Sequence, residues 1–363
     1  MELMGKHLFF INNLEMGGAE VSLINLTNQL VKQNQQVTVV LATKVSENDL
    51  SSRLNKQINL VSLNLNLTLF KLQSVFAPKM VAKKIAKTVQ LDQYDSVTAA
   101  LELFPTYVVQ KIVHANKIYQ VHSDLEKIIA KAPKLIQRKI SKLNSKYQND
   151  AKYMIVGPNA IDIFKKLNPD IKDEKINLTK NIIDVSSIIT KAKSETPKIK
   201  HGQKTIFSIG RLVPEKAFER IIPIAKSMSQ SEFYIIGEGP ERATLENLIK
   251  QNNVNNVTLL GAKDNPFCYL KQANCLLLTS KTEGSPTVIY EALALNKPFV
   301  ATDVADLEMI AKQAGSIVLG QDASVIDFVN AIRNTKLNEN FAIDEINQKV
   351  ISQINKIYSL EKE

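Results

Sequence analysis

At 363 residues, 44% hydrophobic and 23% charged, the chain is long enough for two cores and too apolar to be disordered or collagen-like. Its net charge of +10 is unevenly spread: residues 1–190 hold 25 Lys and Arg against 16 Asp and Glu, residues 191–363 hold 21 against 20. A basic excess confined to one half points to an anionic partner for that half. The absence of Trp and of any nucleic-acid recognition module argues for a membrane or acidic polymer over nucleic acid.

The first half alternates apolar runs with helical patterns. HLFFIN (7–12) reads as a strand, followed by MGGAE and a helix carrying Val21, Ile24, Leu26 and Leu30 on one face. Further strands are expected at 36–43, 96–101, 117–122 and 152–157. A polar stretch, 190–204, marks a boundary region, with the crossover a few residues earlier. A second series follows at 205–210, 232–237, 256–261, 274–280, 298–303 and 316–320, and residues 345–360 read as an amphipathic helix. Strand–helix alternation at this spacing indicates doubly wound parallel sheets. The expected division is 1–183, 184–344 and a closing helix at 345–363.

The opening residues look like a first strand, no stretch reaches the ~20 apolar residues of a membrane span, and Cys268 and Cys275 match no metal or redox spacing. The expectation is a cytoplasmic protein with buried thiols.

Four of the second-half strands run into Gly, at 210, 237, 261 and 320, where a ligand can approach the backbone. Directly after one of them, Arg211 and Lys216 in GRLVPEK could neutralise a diphosphate. The alternative is a solvated loop in which they pair with Glu215 or Glu219. In TEGSPTVIYEAL, Glu283 and Glu291 flank a turn and a helix start. Pro286 suits the first helical position, leaving amides near Ser285, Thr287 and Val288 for an anion. Gly237 and Gly239 around Glu238 form a weaker signal, since a tight turn alone needs them. Gly17 and Gly18 could admit a phosphate or sugar near the N-terminus. His122, at a strand end, could bond a sugar hydroxyl or aid proton transfer. No Asp-x-Asp triplet and no His/Cys cluster of metal spacing occurs, so no metal is expected.

Taken in order, MGGAE, VHSDL, MIVGPNAIDIFKK, KNIID, GRLVPEK, IIGEGPER and EGSPTVIYEALALNKPFVATD resemble retaining glycosyltransferase family four, the glycosyl transferases group 1. The resemblance covers nearly the whole chain. It implies a GT-B fold: two Rossmann-like α/β domains facing a central cleft, with the last helix crossing back to the first domain. It also implies metal-independent transfer, with retention, of a sugar from a nucleotide-diphosphate donor, a UDP-hexose by family prior. Arg211 and Lys216 would hold the diphosphate, Glu283 the transferred sugar and Glu291 the ribose. Gly210, Gly237, Glu238 and the turn Gly284, Ser285, Pro286, Thr287 and Val288 would complete the donor site. Gly17, Gly18 and His122 would approach from the first domain. Ala217 departs from the Gly that usually follows the Lys. An epimerase or phosphorylase of the same fold, or a non-catalytic partner or glycan-binding subunit, are the alternatives.

Between Lys127 and Lys146 there are seven cations and no acid. Lys131, Lys134, Arg138, Lys139 and Lys142 are expected to face an anionic membrane or acceptor, and Lys79, Lys83, Lys84 and Lys87 form a second basic patch. This favours a glycan or lipid-linked acceptor of cell-surface polysaccharide or glycolipid synthesis, with the protein peripheral on the inner face of the cell membrane.

Overall fold

The computed structural model describes residues 5–15, 17–46, 49–122, 137, 151–305, 307–339 and 341–360. The basic face expected at Lys131, Lys134, Arg138, Lys139 and Lys142 lies outside the described residues. The chain divides into two compact units, one of Met1–Ile182 with Gln348–Glu363, the other of Ile183–Asn347.

The first unit is built on seven parallel strands: β1 (Lys6–Ile11), β2 (Gln36–Thr43), β3 (Asn59–Leu65), β4 (Ser96–Ala99), β5 (Lys117–Val121), β6 (Lys152–Val156) and β7 (Ile176–Thr179). Their order is β3-β2-β1-β4-β5-β6-β7, so the direction of winding reverses between β1 and β4. Alternation places Leu8 and Phe10 in a core on one face with Val97, Tyr119 and Tyr153. Phe9 and Ile11 enter a core on the other face with Val39, Ile118 and Met154. Both faces are covered, which is why these strands read as continuous apolar runs.

The expected strands are present, trimmed by a residue or two at their ends. Two strands that no apolar run announces are β3 and β7, the edges of the sheet. Being paired on one side only, β3 is mostly half-buried, with Leu63 alone fully enclosed, and β7 is only four residues long.

The second unit has six parallel strands: β8 (Thr205–Ile209), β9 (Glu232–Ile236), β10 (Val257–Gly261), β11 (Cys275–Leu278), β12 (Phe299–Thr302) and β13 (Ile317–Leu319). Their order is β10-β9-β8-β11-β12-β13, with the reversal between β8 and β11. Phe207, Tyr234 and Leu276 pack on one face, Ile206, Phe233 and Leu277 on the other. Cys268 and Cys275 are free, buried thiols, as expected. Burial pushes them up to about 11 and about 12 respectively, so both stay protonated and inert at neutral pH.

The helix Ile343–Tyr358 begins in the second unit, and from Gln348 onward it belongs to the first. There Val350, Ile351, Ile354, Ile357 and Tyr358 join the core around Phe9. No helix of the described residues is long and apolar enough to cross a membrane.

Candidate functional site

In doubly wound sheets ligands bind beyond the C-terminal strand ends, where the strand order reverses. In the second unit that point lies between β8 and β11, and the sequence places Gly210 after the first and Glu283 after the second. The loop after β8 closes into a short 3₁₀ turn, Pro214–Lys216, followed by Ala217 in the left-handed conformation (φ 49°, ψ 41°). This turn brings Lys216 back over Gly210: a Cβ at position 210 would lie 3.5 Å from Lys216 Cε. Lys216 Nζ then donates to Glu283 Oε1 at 2.5 Å, and Ser280 Oγ donates to the same oxygen at 2.7 Å. The Lys216 and Glu283 side chains are 21% and 11% exposed, so the pair is partly withdrawn from water yet open to a ligand.

The pairing differs from the solvated-loop alternative. Lys216 turns to Glu283, and Glu219 is bonded instead by Lys281. Thr279 Oγ1 donates to the carbonyls of Lys216 and Ala217, tying the two loops together. Arg211 is exposed, and its guanidinium has no hydrogen-bond or ion-pair partner among the described residues. A cation held by no internal acid beside a strand-end glycine is available to an anion.

The segment Gly237–Glu241 is woven into the same platform. Gly210 N donates to Ile236 O, Leu212 N to Glu238 O, and Glu241 N to Leu212 O. A Cβ at Gly237 (φ 149°) would lie 1.9 Å from Gly210 O. Close approach of two backbones therefore requires this glycine, whether or not a ligand is bound. Glu238 lies at the surface and accepts from Arg242 at 2.5 Å.

Gly284 and Ser285 lead into the helix Thr287–Ala294. Pro286 is the residue before the helix, not its first member as expected, and its ψ of 91° is extended. No side chain caps this end, so the amides of Thr287 and Val288 keep their capacity for an anion. Glu291 lies half-buried on the second turn of the same helix.

In the first unit the reversal lies between β1 and β4. Gly17 precedes the helix Gly18–Lys32, which starts slightly earlier than expected and has no side-chain cap bond. A Cβ at position 17 would meet Glu20 Oε2 at 2.2 Å, so this glycine accommodates a carboxylate folded back over the helix start. Gly18 opens onto free space. His122 follows β5. Its amide donates to Glu102 Oε2 at 3.0 Å, and its Nε2 lies 3.4 Å from Gln120 Oε1. Burial lowers the His122 pKa below the ordinary 6.5, against opposing contributions from the Glu102 carboxylate and the Ala100 carbonyl, so the ring is neutral at pH 7. It lines a small recess with Ser22, Gln120, Thr179, Lys180 and Asn181.

Glu102 was not among the expected site residues. It is 4% exposed and follows β4 at the reversal point. An acid directly after the buried run SVTAAL was the available signal. Asn12 likewise follows β1, and its buried Oδ1 has no hydrogen-bond partner among the described residues.

Two reversal points, each in a doubly wound Rossmann-like unit, define the GT-B class of α/β protein. The structure is similar over 97% of this chain and 99% of the other to HepE of Anabaena, solved with UDP and glucose, with a TM-score of 0.69 at 17% identity. In this chain, residues 189–354 match the family described as glycosyl transferases group 1. It is 25% identical over 305 residues to an uncharacterized glycosyltransferase of Haemophilus influenzae, covering 82% of this chain and 80% of the relative. A second uncharacterized glycosyltransferase, of Methanocaldococcus jannaschii, is 39% identical over 101 residues. That match spans 26% of this chain and only a quarter of the relative's length.

Proposed function

We propose that this chain is a glycosyltransferase that takes its sugar from a nucleoside-diphosphate donor bound at the β8/β11 reversal point of the second unit. The observation that carries this is the Lys216–Glu283 ion pair seated over Gly210, with Arg211 unpaired beside it. When donor binds, the diphosphate draws Lys216 and Arg211 to its oxygens, and the released Glu283 carboxylate accepts from sugar hydroxyls. Amides at Thr287 and Val288 add donors to the phosphates, and Glu291 accepts from the ribose. Two cations and a helix start take up the charge of the leaving diphosphate, so no divalent metal is required. UDP-glucose or another UDP-hexose is the proposed donor, in line with the UDP and glucose named for the Anabaena structure. Transfer proceeds with retention, as in the family that the motifs resemble. In the first unit, neutral His122, held in place through its backbone by Glu102, is available to bond a sugar hydroxyl. The acceptor is a glycan or a lipid-linked saccharide, matched to the basic first half of the chain.

A thermal-shift screen of UDP-, GDP- and ADP-sugars, followed by a turnover assay, tests this. One donor class should raise the melting temperature, and Lys216→Ala should lower turnover about 10²–10³-fold. If no donor is bound or consumed, or Lys216→Ala leaves turnover intact, the assignment fails.

A further inference from the structure

Four strand ends of the second unit meet at one exposed glutamine. Gln321 follows β13, and its amide gives both hydrogens and its oxygen to other loops. Its Nε2 donates to the Ser280 carbonyl at 3.1 Å, beyond β11, and to the Asp303 carbonyl at 3.0 Å, beyond β12. Its Oε1 accepts from Arg220 Nη1 at 3.3 Å, and its backbone carbonyl accepts from Arg220 Nη2 at 3.2 Å. Arg220 ends the 3₁₀ turn Phe218–Arg220 in the loop after β8, and among the described residues its guanidinium bonds only neutral oxygens. Fixing an exposed, flexible side chain costs conformational entropy, which here is offset by several bonds made together. Gln321 thus acts as a clip across the loops after β8, β11, β12 and β13.

The clip closes on a residue that touches the donor site. Ser280 is wholly buried, and its carbonyl accepts from Thr302 Oγ1 at 2.6 Å as well as from Gln321, which occupies both lone pairs. Its Oγ donates to Glu283 Oε1, the oxygen that Lys216 also bonds. Both protein donors therefore converge on one carboxylate oxygen, and Glu283 Oε2 has no hydrogen-bond partner among the described residues. In the donor-bound state proposed above, Lys216 moves to the diphosphate. Of the two donors, Ser280 alone then aims Glu283, and the place of Oε2 depends on how firmly the Ser280 backbone is held.

We propose that Gln321 is a positioning residue: with Arg220 it fixes Ser280, and through Ser280 it presents Glu283 Oε2 to the transferred sugar. This rests on the donor site proposed above and adds to it a residue that the strand-end motifs do not mark. Gln321 bonds neither Arg211 nor Lys216, so its effect falls on sugar placement and turnover, not on nucleotide affinity.

Gln321→Met keeps the length of the side chain and removes the three amide bonds. Two measurements on the full chain test it. Hydrogen exchange needs no donor: peptides spanning 279–284 should lose protection in the variant while those of β9 and β10 keep it. The Lys281 amide, which donates to the Glu215 carbonyl at 2.8 Å, lies in that segment and reports on it. The second measurement is steady-state release of UDP from UDP-glucose. Here kcat should fall about 10- to 100-fold, the range expected when a contact to the reacting sugar is displaced by up to 1 Å. The inhibition constant of UDP should stay within about twofold of wild type. Ser280→Ala should lose as much kcat, and adding Gln321→Met to it should cost less than about twofold more, because the clip reaches Glu283 only through the Ser280 hydroxyl. An unchanged melting temperature verifies folding. Should Gln321→Met fail to fold, Gln321→Glu carries the same expectations, since it keeps an acceptor for Arg220 and loses both donors. Unchanged exchange across 279–284, unchanged kcat, equal losses of kcat and UDP affinity, or losses that add to those of Ser280→Ala would each overturn the proposal. If wild type releases no UDP, the donor assignment fails, and exchange alone decides the clip: lost protection at 279–284 supports it and retained protection overturns it.

Discussion

Ala217 shows how one residue shapes the donor loop. Its left-handed backbone closes the turn that brings Lys216 over Gly210, and its side chain is fully buried. The family pattern has Gly here, the residue that adopts this conformation without steric cost. Replacing Ala217 by Gly relieves about 1 kcal/mol of strain but gives up a buried methyl worth about 0.8 kcal/mol, so stability should change by less than about 1 kcal/mol. Ala217→Val adds a β-branched residue to the same backbone in a filled site and should cost about 2–4 kcal/mol in urea denaturation. Equal stability of the Gly and Val variants would sink this account. The two donor-loop cations should separate by the same measurement. Arg211→Ala should leave stability within about 0.5 kcal/mol, since nothing internal holds the guanidinium. Lys216→Ala should cost about 1–2 kcal/mol by leaving the partly buried Glu283 with Ser280 alone. Arg211, Lys216, Glu283 and Glu291 were all legible in the sequence as charged residues beyond apolar strands. That Lys216 and Glu283 pair with each other was not, because 67 positions separate them and only the strand order makes β8 and β11 neighbours.

At the scale of elements, legibility followed burial in the first unit. The half-buried edges β10 and β13 of the second were marked instead by the Gly that ends or follows them. Strands covered on both faces, such as β1, β5 and β8, carry unbroken apolar runs and are easily found. The edges β3 and β7 carry weaker patterns, and nothing local marks them. The C-terminal helix was legible from its period, but its depth of burial was not. Tyr358, its last residue, lies edge-on to His7 with ring centroids 5.3 Å apart and shares a hydrogen bond of 3.1 Å with Thr98 Oγ1. Burial raises the phenol pKa well above its usual 10. Lys152 Nζ adds a bond of 2.6 Å to the Ile357 carbonyl. This helix end is therefore part of the first unit's core. Tyr358→Ala should cost about 3–5 kcal/mol by chemical denaturation. A loss below about 1 kcal/mol would mean that the helix end merely rests on the surface.

At the scale of the whole molecule, the charge divides by unit more sharply than by halves of the sequence. The first unit holds 28 Lys and Arg against 17 Asp and Glu, the second 18 against 19. The two histidines with lowered pKa values, His7 and His122, also both lie in the first unit. Burial is the main cause at each; the Gln35 hydrogen bond and the Asp95 charge oppose it at His7, the Glu102 charge and the Ala100 carbonyl at His122. The folded state therefore binds fewer protons at these sites than the unfolded chain, whose histidines titrate near 6.5. Their stabilisation is fully present above that value and is lost as pH falls toward the lowered folded values. Falling pH also adds positive charge to a unit that is already basic, and self-repulsion acts in the same direction. In the second unit, Asp327 is held low by its bonds from Ser324, so its contribution is lost only on further acidification, below the ordinary carboxylate range. Between pH 7.5 and 5 the first unit should thus weaken ahead of the second. Hydrogen exchange followed by mass spectrometry resolves the two directly. Peptides from β1 and β5 should lose protection on acidification while those from β8 and β9 keep it, once intrinsic exchange rates are corrected for pH. Earlier loss in β8 and β9, or simultaneous loss in all four strands, would show that the buried histidines do not set the acid limit.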